Sequence, residues 1–237
     1  ATMSKGIAII TARGGSKRIP RKNIKEFLGK PIMAYSIETA KKAQIFDEIM
    51  VSTDDKEIAE VAKEYGASVP FLRSQKTSND YATTEDVIME VLEEYEKRGK
   101  TYDYVVCLYP TAPFVKLEWL KAGVEMILRP EIGMVMTMVK FSFPPQRCLV
   151  KDGDCVKYKW PEYMNSRSQD LEAMYHDGGQ FYCYDVKKFK ENAGQFSEGI
   201  AAIEIEESQV QDIDTFEDWK IAEMKYRILR ELGQRED

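Results

Sequence analysis

The sequence predicts an α/β fold in which a mainly parallel sheet is flanked by helices. Short apolar runs rich in β-branched residues alternate with segments whose apolar residues recur with helical period, which is typical of βαβ units. The chain has 237 residues, of which 43% are hydrophobic and 31% charged, so it can bury a sizeable core. It contains no internal repeat, low-complexity tract or linker. We therefore expect one domain over residues 3–237, with Ala1 and Thr2 before Met3 left out of the fold.

The first part of the chain supplies most of the predicted sheet. Residues 7–11 form the first strand, and Pro31 opens the first helix, because proline suits the first turn. The helix has apolar residues at Ile32, Tyr35, Ile37 and Ala40. The further strands are predicted at 49–52, 68–72, 104–109 and 134–139, and the further helices at 55–65, 83–97 and 117–128.

The alternation breaks between residues 140 and 177. This segment contains Pro144 and Pro145, a polar hairpin candidate at 151–154 and no helical pattern. We expect it to protrude from the core as an insertion and to form a symmetric dimer, because it carries aromatic residues that the core does not need. These residues are Phe141, Phe143, Tyr158, Trp160 and Tyr163.

The core is predicted to resume after this insertion. Strands are expected at 180–184 and 200–205, followed by a last helix over 215–232. The apolar stripe predicted for that helix consists of Ile221, Met224, Ile228 and Leu232.

The composition argues against several classes of protein. Lys and Arg number 34 against 40 Asp and Glu, and the net charge of −6 is a poor match for nucleic acid or an anionic membrane. The apolar runs are far shorter than the roughly 20 residues that span a bilayer, and we expect no signal peptide before the first strand. The four cysteines form no CxxC pair, which favours a reducing, cytoplasmic compartment. His176 is the single histidine, so a His-based zinc cage is excluded.

The densest chemical signal is the segment ARGGSKRIPRKN, residues 12–23, directly after the first predicted strand. From Arg13 to Lys25 there are six basic residues and no acidic one. Glycines let backbone N–H groups approach an anion, Ser16 adds a hydroxyl donor, and the cations balance charge. Ligands of open α/β sheets bind at the carboxyl ends of strands. This loop is therefore predicted to bind a polyphosphate.

Three other interpretations of this loop are a P-loop, a dinucleotide-binding loop and a solvated loop without a ligand. The spacing matches neither GxxxxGK[ST] nor GxGxxG, which disfavours a P-loop and a nicotinamide-dependent oxidoreductase. A solvated basic loop with no ligand is the remaining alternative. Arg18 and Arg21 are assigned no role, since they can simply face solvent.

The segment RGGSKRIPRKN resembles the signature loop of the cytidylyltransferases that activate nonulosonic, sialic-acid-like sugars. Further motifs follow in the order of that family, namely VSTD (51–54), LR (72–73), DYATT (80–84), YPTAP (109–113) and DID (212–214). Within the family, SRSQDL (166–171) and YHDGGQFY (175–182) are most similar to the enzymes for pseudaminic acid. Tyr109 stands where the sialic acid enzymes have glutamine. The resemblance implies a Rossmann-like fold of the nucleotide-diphospho-sugar transferase type.

The resemblance also implies a site for CTP. The loop would hold the triphosphate and fix the nucleoside, and the segment after strand 68–72 would recognise cytosine, since an arginine and a hydroxyl can donate to its O2 and N3. Thr83 or Thr84 also fits a helix N-cap, and this alternative stays open. The residues are Arg13, Gly14, Gly15, Ser16, Lys17 and Lys22 for the phosphates, Asn23 for the nucleoside, and Arg73, Asp80, Thr83 and Thr84 for the base.

Asp212 and Asp214 are the candidate metal ligands. In an extended chain, residues two apart lie on one side, and two carboxylates suit Mg²⁺, which takes oxygen ligands and bridges phosphates. Asp214 followed by Glu217 is also the pattern of a helix N-cap, so a capping role is the alternative.

The sugar is expected to bind near the second half of the insertion, as in the family. A nonulosonic acid carries a carboxylate, so a cation separate from the phosphate loop is needed, and Arg167 is the candidate. Tyr109, Tyr175, His176 and Gln180 complete the predicted substrate site, although His176 can also be a structural histidine.

The expected function is transfer of CMP from CTP to the anomeric hydroxyl of a nonulosonic acid, pseudaminic acid above all, with release of pyrophosphate. Arg13, Lys22, Asp212 and Asp214 are the expected catalytic residues, and no general base is assigned. The alternatives are the same reaction on N-acetylneuraminate, legionaminate or Kdo, and a non-catalytic module that binds a nucleotide sugar.

Overall fold

Ten strands and six helices form the regular structure of residues 4–235, the part of the chain that the computed structural model describes. Residues 1–3 and 236–237, at the ends of the predicted domain, lie outside it. The strands are Gly6–Thr11 (β1), Glu26–Phe27 (β2), Lys30–Pro31 (β3), Glu48–Ser52 (β4), Tyr104–Leu108 (β5), Met134–Lys140 (β6), Leu149–Asp152 (β7), Cys155–Tyr158 (β8), Tyr175–Asp185 (β9) and Ile200–Glu204 (β10). The helices are Ile32–Ala43 (α1), Lys56–Glu64 (α2), Thr84–Lys97 (α3), Leu117–Ile127 (α4), Val186–Glu191 (α5) and Phe216–Glu231 (α6).

The central sheet has six strands in the order β10-β6-β9-β5-β1-β4. β1 pairs in parallel with β4 and β5, β10 pairs in parallel with β6, and β9 runs antiparallel to both of its neighbours. The predicted α/β class with a mainly parallel sheet is confirmed. The chain leaves β1 towards β4 on one side and returns to β5 on the other, so the strand order reverses at the carboxyl ends of β1 and β5. Such a reversal is where α/β sheets bind ligands.

Helices cover both faces of this sheet. Ala8 and Ile10 of β1 pack with α1, α2 and α4, whereas Ile7 and Ile9 pack with α3 and α5. The alternation along β1 follows from the two-residue repeat of a strand. Burial on both faces explains why these strands are continuous apolar runs in the sequence.

The predicted apolar stripe of the last helix is wrong. Ile221, Met224, Ile228 and Leu232 have 36%, 60%, 53% and 65% of their surface exposed. The buried stripe of α6 is Trp219, Ala222, Tyr226 and Leu229 instead. The rings of Trp219 and Tyr226 pack edge to face against Phe27 of β2 at 5.7 and 5.8 Å, and aromatic pairs of this geometry bury more surface than the aliphatic stripe offers.

The predicted strand at 68–72 is also wrong, since only a single bridge between Met50 and Ser68 forms there. Pro70 has no N–H to donate and ends the pairing at that point. The sequence reasoning also missed α5 and the small β2–β3 pair. α5 begins after Asp185, whose carboxylate accepts from the N–H of Lys188 as an N-cap.

The segment 141–174 leaves the central sheet and contains the β7–β8 hairpin, turned at Gly153 with φ of +63°. The predicted polar hairpin is therefore present. The sheet resumes at Tyr175, before the predicted residue 180, because the first part of β9 continues along β6 across a bulge between Met136 and Met138. Among the aromatic residues of the insertion that are predicted to form the dimer, Tyr158 is half-buried. Within residues 4–235 no helix combines the length and apolar character needed to cross a membrane.

Candidate active site

A cleft of about 600 Å³ opens at the carboxyl ends of β1 and β5, where the strand order reverses. It brings together most of the predicted phosphate-binding side chains with Asn23, Tyr109 and Asp214. The lining residues are Thr11, Arg13, Ser16, Lys17, Arg18, Lys22, Asn23, Tyr109, Pro110, Thr111 and Asp214.

The loop after β1 is held in shape by contacts outside the cleft. The N–H of Gly14 donates to Asp54 at 2.9 Å, and a Cβ on Gly14 would lie 2.8 Å from the carboxylate of Asp55, so only glycine fits. Asn23, predicted to fix the nucleoside, is buried and donates to the carbonyl of Arg13 at 2.9 Å. A Cβ on Gly15 would meet nothing within 4 Å, so its backbone can be approached closely.

Arg21 anchors the loop to the start of α2. It lies in the left-handed region, with φ of +56°, and its guanidinium donates to both oxygens of Asp55 at 2.5 and 3.0 Å and to Glu57 at 2.6 Å. This contact lowers the pKa of Asp55 to about 2. Asp55 also caps α2, accepting from the N–H of Ile58. Arg21 therefore has a structural role, whereas Arg18 lines the cleft.

Asp80, in the segment before α3, contacts two cations of the loop. Its two carboxylate oxygens accept from Arg13 Nη1 and from Lys17 Nζ, each at 2.8 Å. These contacts, Lys17 first, lower the pKa of Asp80. The two cations predicted to hold phosphate are thus paired with one carboxylate.

Arg73 is mostly buried at the end of β4. Its Nε donates to Ser52 Oγ at 3.1 Å and its Nη2 to the Ser52 carbonyl at 2.9 Å. Burial lowers its pKa, and the charge of Asp54 is the largest effect that opposes this shift. Nη1 makes no hydrogen bond within residues 4–235. Thr83 caps α3 in a capping box with Asp86, so the capping alternative is confirmed for Thr83.

Asp212 and Asp214 lie close together next to Lys22. Burial, followed by the charge of Asp214, raises the pKa of Asp212. Lys22 Nζ is 4.0 Å from Asp214 Oδ1, and burial lowers the pKa of this lysine. Asp214 is not the cap of the last helix: Thr215 caps α6, paired with Asp218 three residues on. The capping interpretation of Asp214 is therefore wrong, and its carboxylate is left to the cleft.

Sequence reasoning missed a polar chain beside Tyr109. The Tyr182 hydroxyl donates to Asp177 at 2.5 Å, and the rings of Tyr182 and Tyr109 lie edge to face at 5.6 Å. Burial raises the pKa of Tyr109, and hydrogen bonding with the side chains of Tyr182 and Thr84 partly offsets this rise. The segment YHDGGQFY contained the signal, since Asp177 and Tyr182 both lie in it.

Of the predicted sugar-binding residues, Tyr109 lines the cleft, whereas Arg167, Tyr175, His176 and Gln180 do not. Arg167 is exposed and pairs with Asp170 at 2.8 Å. His176 packs on Phe141 at 5.0 Å, and Tyr175 is exposed beside Glu204. Gln180 is fully buried, and its amide donates to the carbonyls of Gly178 and Gly179, which shapes the backbone next to Asp212.

Comparison with known proteins now decides the family. Residues 7–143, more than half of the chain, match a family model described as cytidylyltransferase. The chain belongs to the cytidylyltransferase family. This cytidylyltransferase is 40% identical over 228 residues to a pseudaminic acid cytidylyltransferase of Campylobacter jejuni, covering 96% of this chain and 98% of the relative. It is 36% identical over 237 residues to a CMP-N,N'-diacetyllegionaminic acid synthase of Legionella pneumophila, covering 96% and 97%.

A solved structure supports the same fold. CMP:2-keto-3-deoxy-manno-octonic acid synthetase, complexed with CTP, superposes with a TM-score of 0.68 at 18% identity, covering 96% of this chain and all of that one. The expected family and the sugar-nucleotidyltransferase type of fold are confirmed for this cytidylyltransferase.

Proposed function

We propose that this cytidylyltransferase transfers CMP from CTP to the anomeric hydroxyl of pseudaminic acid and releases pyrophosphate. The observation that carries the proposal is the cleft at the strand reversal, which Arg13, Lys17 and Lys22 line, with Lys22 beside the Asp212–Asp214 pair. A set of fixed cations beside two carboxylates suits a substrate that brings several phosphates and a divalent metal. The near full-length likeness to a pseudaminic acid cytidylyltransferase supports the choice of sugar.

The reaction is an in-line substitution at the α-phosphorus. The bond between the anomeric oxygen and this phosphorus forms, the bond to the β-phosphate oxygen breaks, and the hydroxyl proton passes to solvent. Arg13 and Lys22 stabilise negative charge on the phosphates, and the N–H of Gly15, whose backbone can be approached closely, orients them. Positioning and charge stabilisation of this kind supply most of the catalysis of phosphoryl transfer.

The carboxylate pair fits Mg²⁺. Within residues 4–235 no group of three or more His, Cys, Asp or Glu side chains is placed to enclose a metal, so the protein offers two carboxylates and leaves other positions to phosphates and water. Mg²⁺ is commonly bound in this way. Burial and then the charge of Asp214 raise the pKa of Asp212, and a cation bound between the two carboxylates would offset both effects. When bound, Mg²⁺ supplies positive charge that stabilises the pyrophosphate leaving group.

Arg73 is assigned to the cytosine and Arg167 to the sugar carboxylate. Nη1 and the second N–H of Nη2 of Arg73 are the donors proposed for the base, since Ser52 accepts from Nε and from one N–H of Nη2. Arg167 lies outside the cleft of its own chain, so its role requires either a movement of the insertion or a second copy of the chain. Tyr109, which lines the cleft, would contact the sugar directly.

Two further expectations belong to the proposal. We infer a homodimer formed by the insertion, for which the exposed apolar side chains in that segment are the support. We also place the chain in the reducing cytoplasm. The support is that Cys107, Cys148, Cys155 and Cys183 are all free thiols.

The experiment is a pyrophosphate-release assay with each of the four NTPs against pseudaminic, legionaminic and N-acetylneuraminic acids in Mg²⁺. We expect CTP with pseudaminic acid to give the highest kcat/KM. A preference for legionaminic acid would support the second candidate, which the Legionella relative suggests. Binding of CTP without turnover of any sugar would indicate a non-catalytic module instead.

A further inference from the structure

Asp80 forms ion pairs with two cations of the loop after β1, residues 12–23, that are proposed to bind phosphate. One carboxylate occupies both Arg13 and Lys17 at 2.8 Å, and these are cations that the proposed function gives to the triphosphate. In doing so it links the loop after β1 to the segment before α3.

The fold does not depend on this carboxylate. The segment before α3 is shaped by Asn79, whose side-chain oxygen accepts from the N–H groups of Tyr81 and Ala82 at 2.8 and 2.9 Å. α3 itself is capped by Thr83 and Asp86. The Asp80 side chain is half exposed and its two hydrogen bonds in the structure are those to Arg13 and Lys17. Its contacts are therefore with the ligand-binding cations and not with the core.

We propose that Asp80 is a selectivity-determining residue that competes with the triphosphate for Arg13 and Lys17. The inference rests on the proposed function. A phosphate group that binds Arg13 and Lys17 competes with Asp80 for their N–H groups and their charge, so the observed affinity is the difference between the two interactions. CTP, with several charged oxygens, exceeds one carboxylate in both charge and number of acceptors. A nucleoside monophosphate exceeds it by much less, so the competition widens the difference between CTP and CMP.

The same exchange favours product release. When pyrophosphate leaves, Asp80 returns to the two cations, so the leaving ion does not expose two unpaired charges. Removing the competitor should therefore strengthen both CTP binding and inhibition by pyrophosphate. This prediction has the opposite sign to the one made if Asp80 binds the nucleotide directly.

The test is Asp80→Asn, because the amide keeps the size of the side chain and removes its charge. The matched control is Glu94→Gln: Glu94 also pairs with two cations, Lys97 at 3.1 Å and Arg98 at 2.9 Å, but at the far end of α3. Both variants change the net charge by the same amount, so a general effect of charge on anion binding is subtracted.

Calorimetry with CTP and with CMP should show that Asp80→Asn binds CTP about three- to tenfold more tightly than wild type, the range expected for two exposed ion pairs. The gain for CMP should be smaller, and the Ki of pyrophosphate should fall. Glu94→Gln should match wild type. Unchanged or weaker CTP binding by Asp80→Asn, or an equal gain in Glu94→Gln, overturns the proposal.

Failure of the proposed function is separable from failure of this inference. If wild type binds CTP no better than UTP, the nucleotide assignment itself is wrong. If wild type selects CTP and Asp80→Asn does not bind it more tightly, only the role of Asp80 is wrong.

Discussion

Asp212 is a residue at which the proposed function and stability oppose each other. It lies beside Asp214, and burial of its carboxyl group, followed by the charge of Asp214, raises its pKa above the ordinary value of 3.8. A raised pKa in the folded state means that the charged form is disfavoured there. Its cost to stability is absent below the unfolded pKa and grows as the pH rises through the folded pKa. At pH 7 the ionised carboxylate therefore destabilises the fold.

Asp212→Asn should raise the Tm at pH 7 without Mg²⁺ and lower kcat by on the order of 10², as for loss of a preorganised charge stabiliser. Asparagine keeps the acceptor that the N–H of Ile213 uses. Differential scanning fluorimetry from pH 3 to 7 should show the gain in Tm disappearing at low pH. A control is Glu217→Gln, an exposed acid in the first turn of α6. A variant that is both active and unchanged in Tm would contradict the proposed role of Asp212.

Asp214→Asn should also lower kcat by on the order of 10². Since Thr215 supplies the cap of α6, a loss of activity in this variant has no explanation through capping. Thr215→Ala tests the cap separately and should cost about 1 kcal/mol of stability while leaving kcat unchanged. Full activity of Asp214→Asn at ordinary Mg²⁺ would show that the metal binds elsewhere.

Arg73 should determine the preference for CTP over UTP. Cytosine presents acceptors at O2 and N3, whereas uracil presents a donor at N3, which an arginine N–H cannot pair with. Arg73→Ala should raise the KM for CTP roughly 10- to 100-fold, the range for loss of a hydrogen bond to a charged group. Steady-state kinetics with CTP and UTP provide the measurement. Ser52→Ala removes one of the contacts that orient Arg73 and should have a smaller effect. Equal rates with CTP and UTP in wild type would contradict the base assignment.

At the scale of elements, the phosphate loop depends on its anchor to α2. Arg21→Ala should destabilise the fold, because it loses the contacts to Asp55 and Glu57 and keeps a left-handed φ. Arg21→Gly loses the same contacts but fits that φ, and should be more stable than the alanine variant by about 1 kcal/mol. Urea unfolding of both variants measures the difference. An alanine variant as stable as the glycine variant would show that the backbone relaxes.

The anchor also has a pH dependence. Asp55 has a folded pKa of about 2, below its ordinary value of 3.8, so its pairing stabilises the fold fully above pH 3.8. The stabilisation is lost as the pH falls through about 2. The difference in stability between wild type and Arg21→Ala should therefore shrink in this range.

Local sequence patterns predicted those elements that can be recognised without knowing which distant residues they contact. β1 and the cation-rich loop after it were predictable because a buried strand followed by glycines and cations is a complete signal within the segment. The stripe of α6 was not predictable in this way. Two apolar stripes of that helix fit the helical period, and contacts with residues distant in the sequence, Phe27, Tyr35 and Phe114, decide which one is buried.

In the candidate site, too, residues within one segment were predicted, and contacts between distant segments were not. The cations of the loop, Asn23 and Asp214 were predicted and do share a cleft. The sequence did not predict that Asp80 pairs with Arg13 and Lys17 or that Asp55 anchors Arg21, because these contacts join segments far apart in the chain. The Tyr182–Asp177 contact was missed as well. Arg167 is the opposite case: its chemistry suits the sugar, and the fold of one chain keeps it away from the cleft.

At the scale of the whole molecule, two exposed apolar surfaces compete to form the interface of a dimer. One is the insertion, where Phe143, Leu149 and Val156 are 56%, 53% and 62% exposed. The other is the outward stripe of α6, where Met224 and Ile228 are 60% and 53% exposed. We predict that the insertion forms the dimer, since it is a larger continuous segment that contributes little to the core and carries exposed aromatic residues as well.

Val156→Asp and Met224→Asp are matched probes, because each places a charge at an almost equally exposed apolar position on one of the two surfaces. A charge buried at an interface without a partner is costly, so Val156→Asp should give a monomer and Met224→Asp should leave the dimer intact. Light scattering after size-exclusion chromatography at micromolar concentration measures the mass. The monomeric variant should bind CTP normally and use the sugar poorly if the insertion must meet a second copy to bring Arg167 to a cleft. A wild-type mass of 27.3 kDa, or dissociation by Met224→Asp alone, would show that the insertion is not the interface.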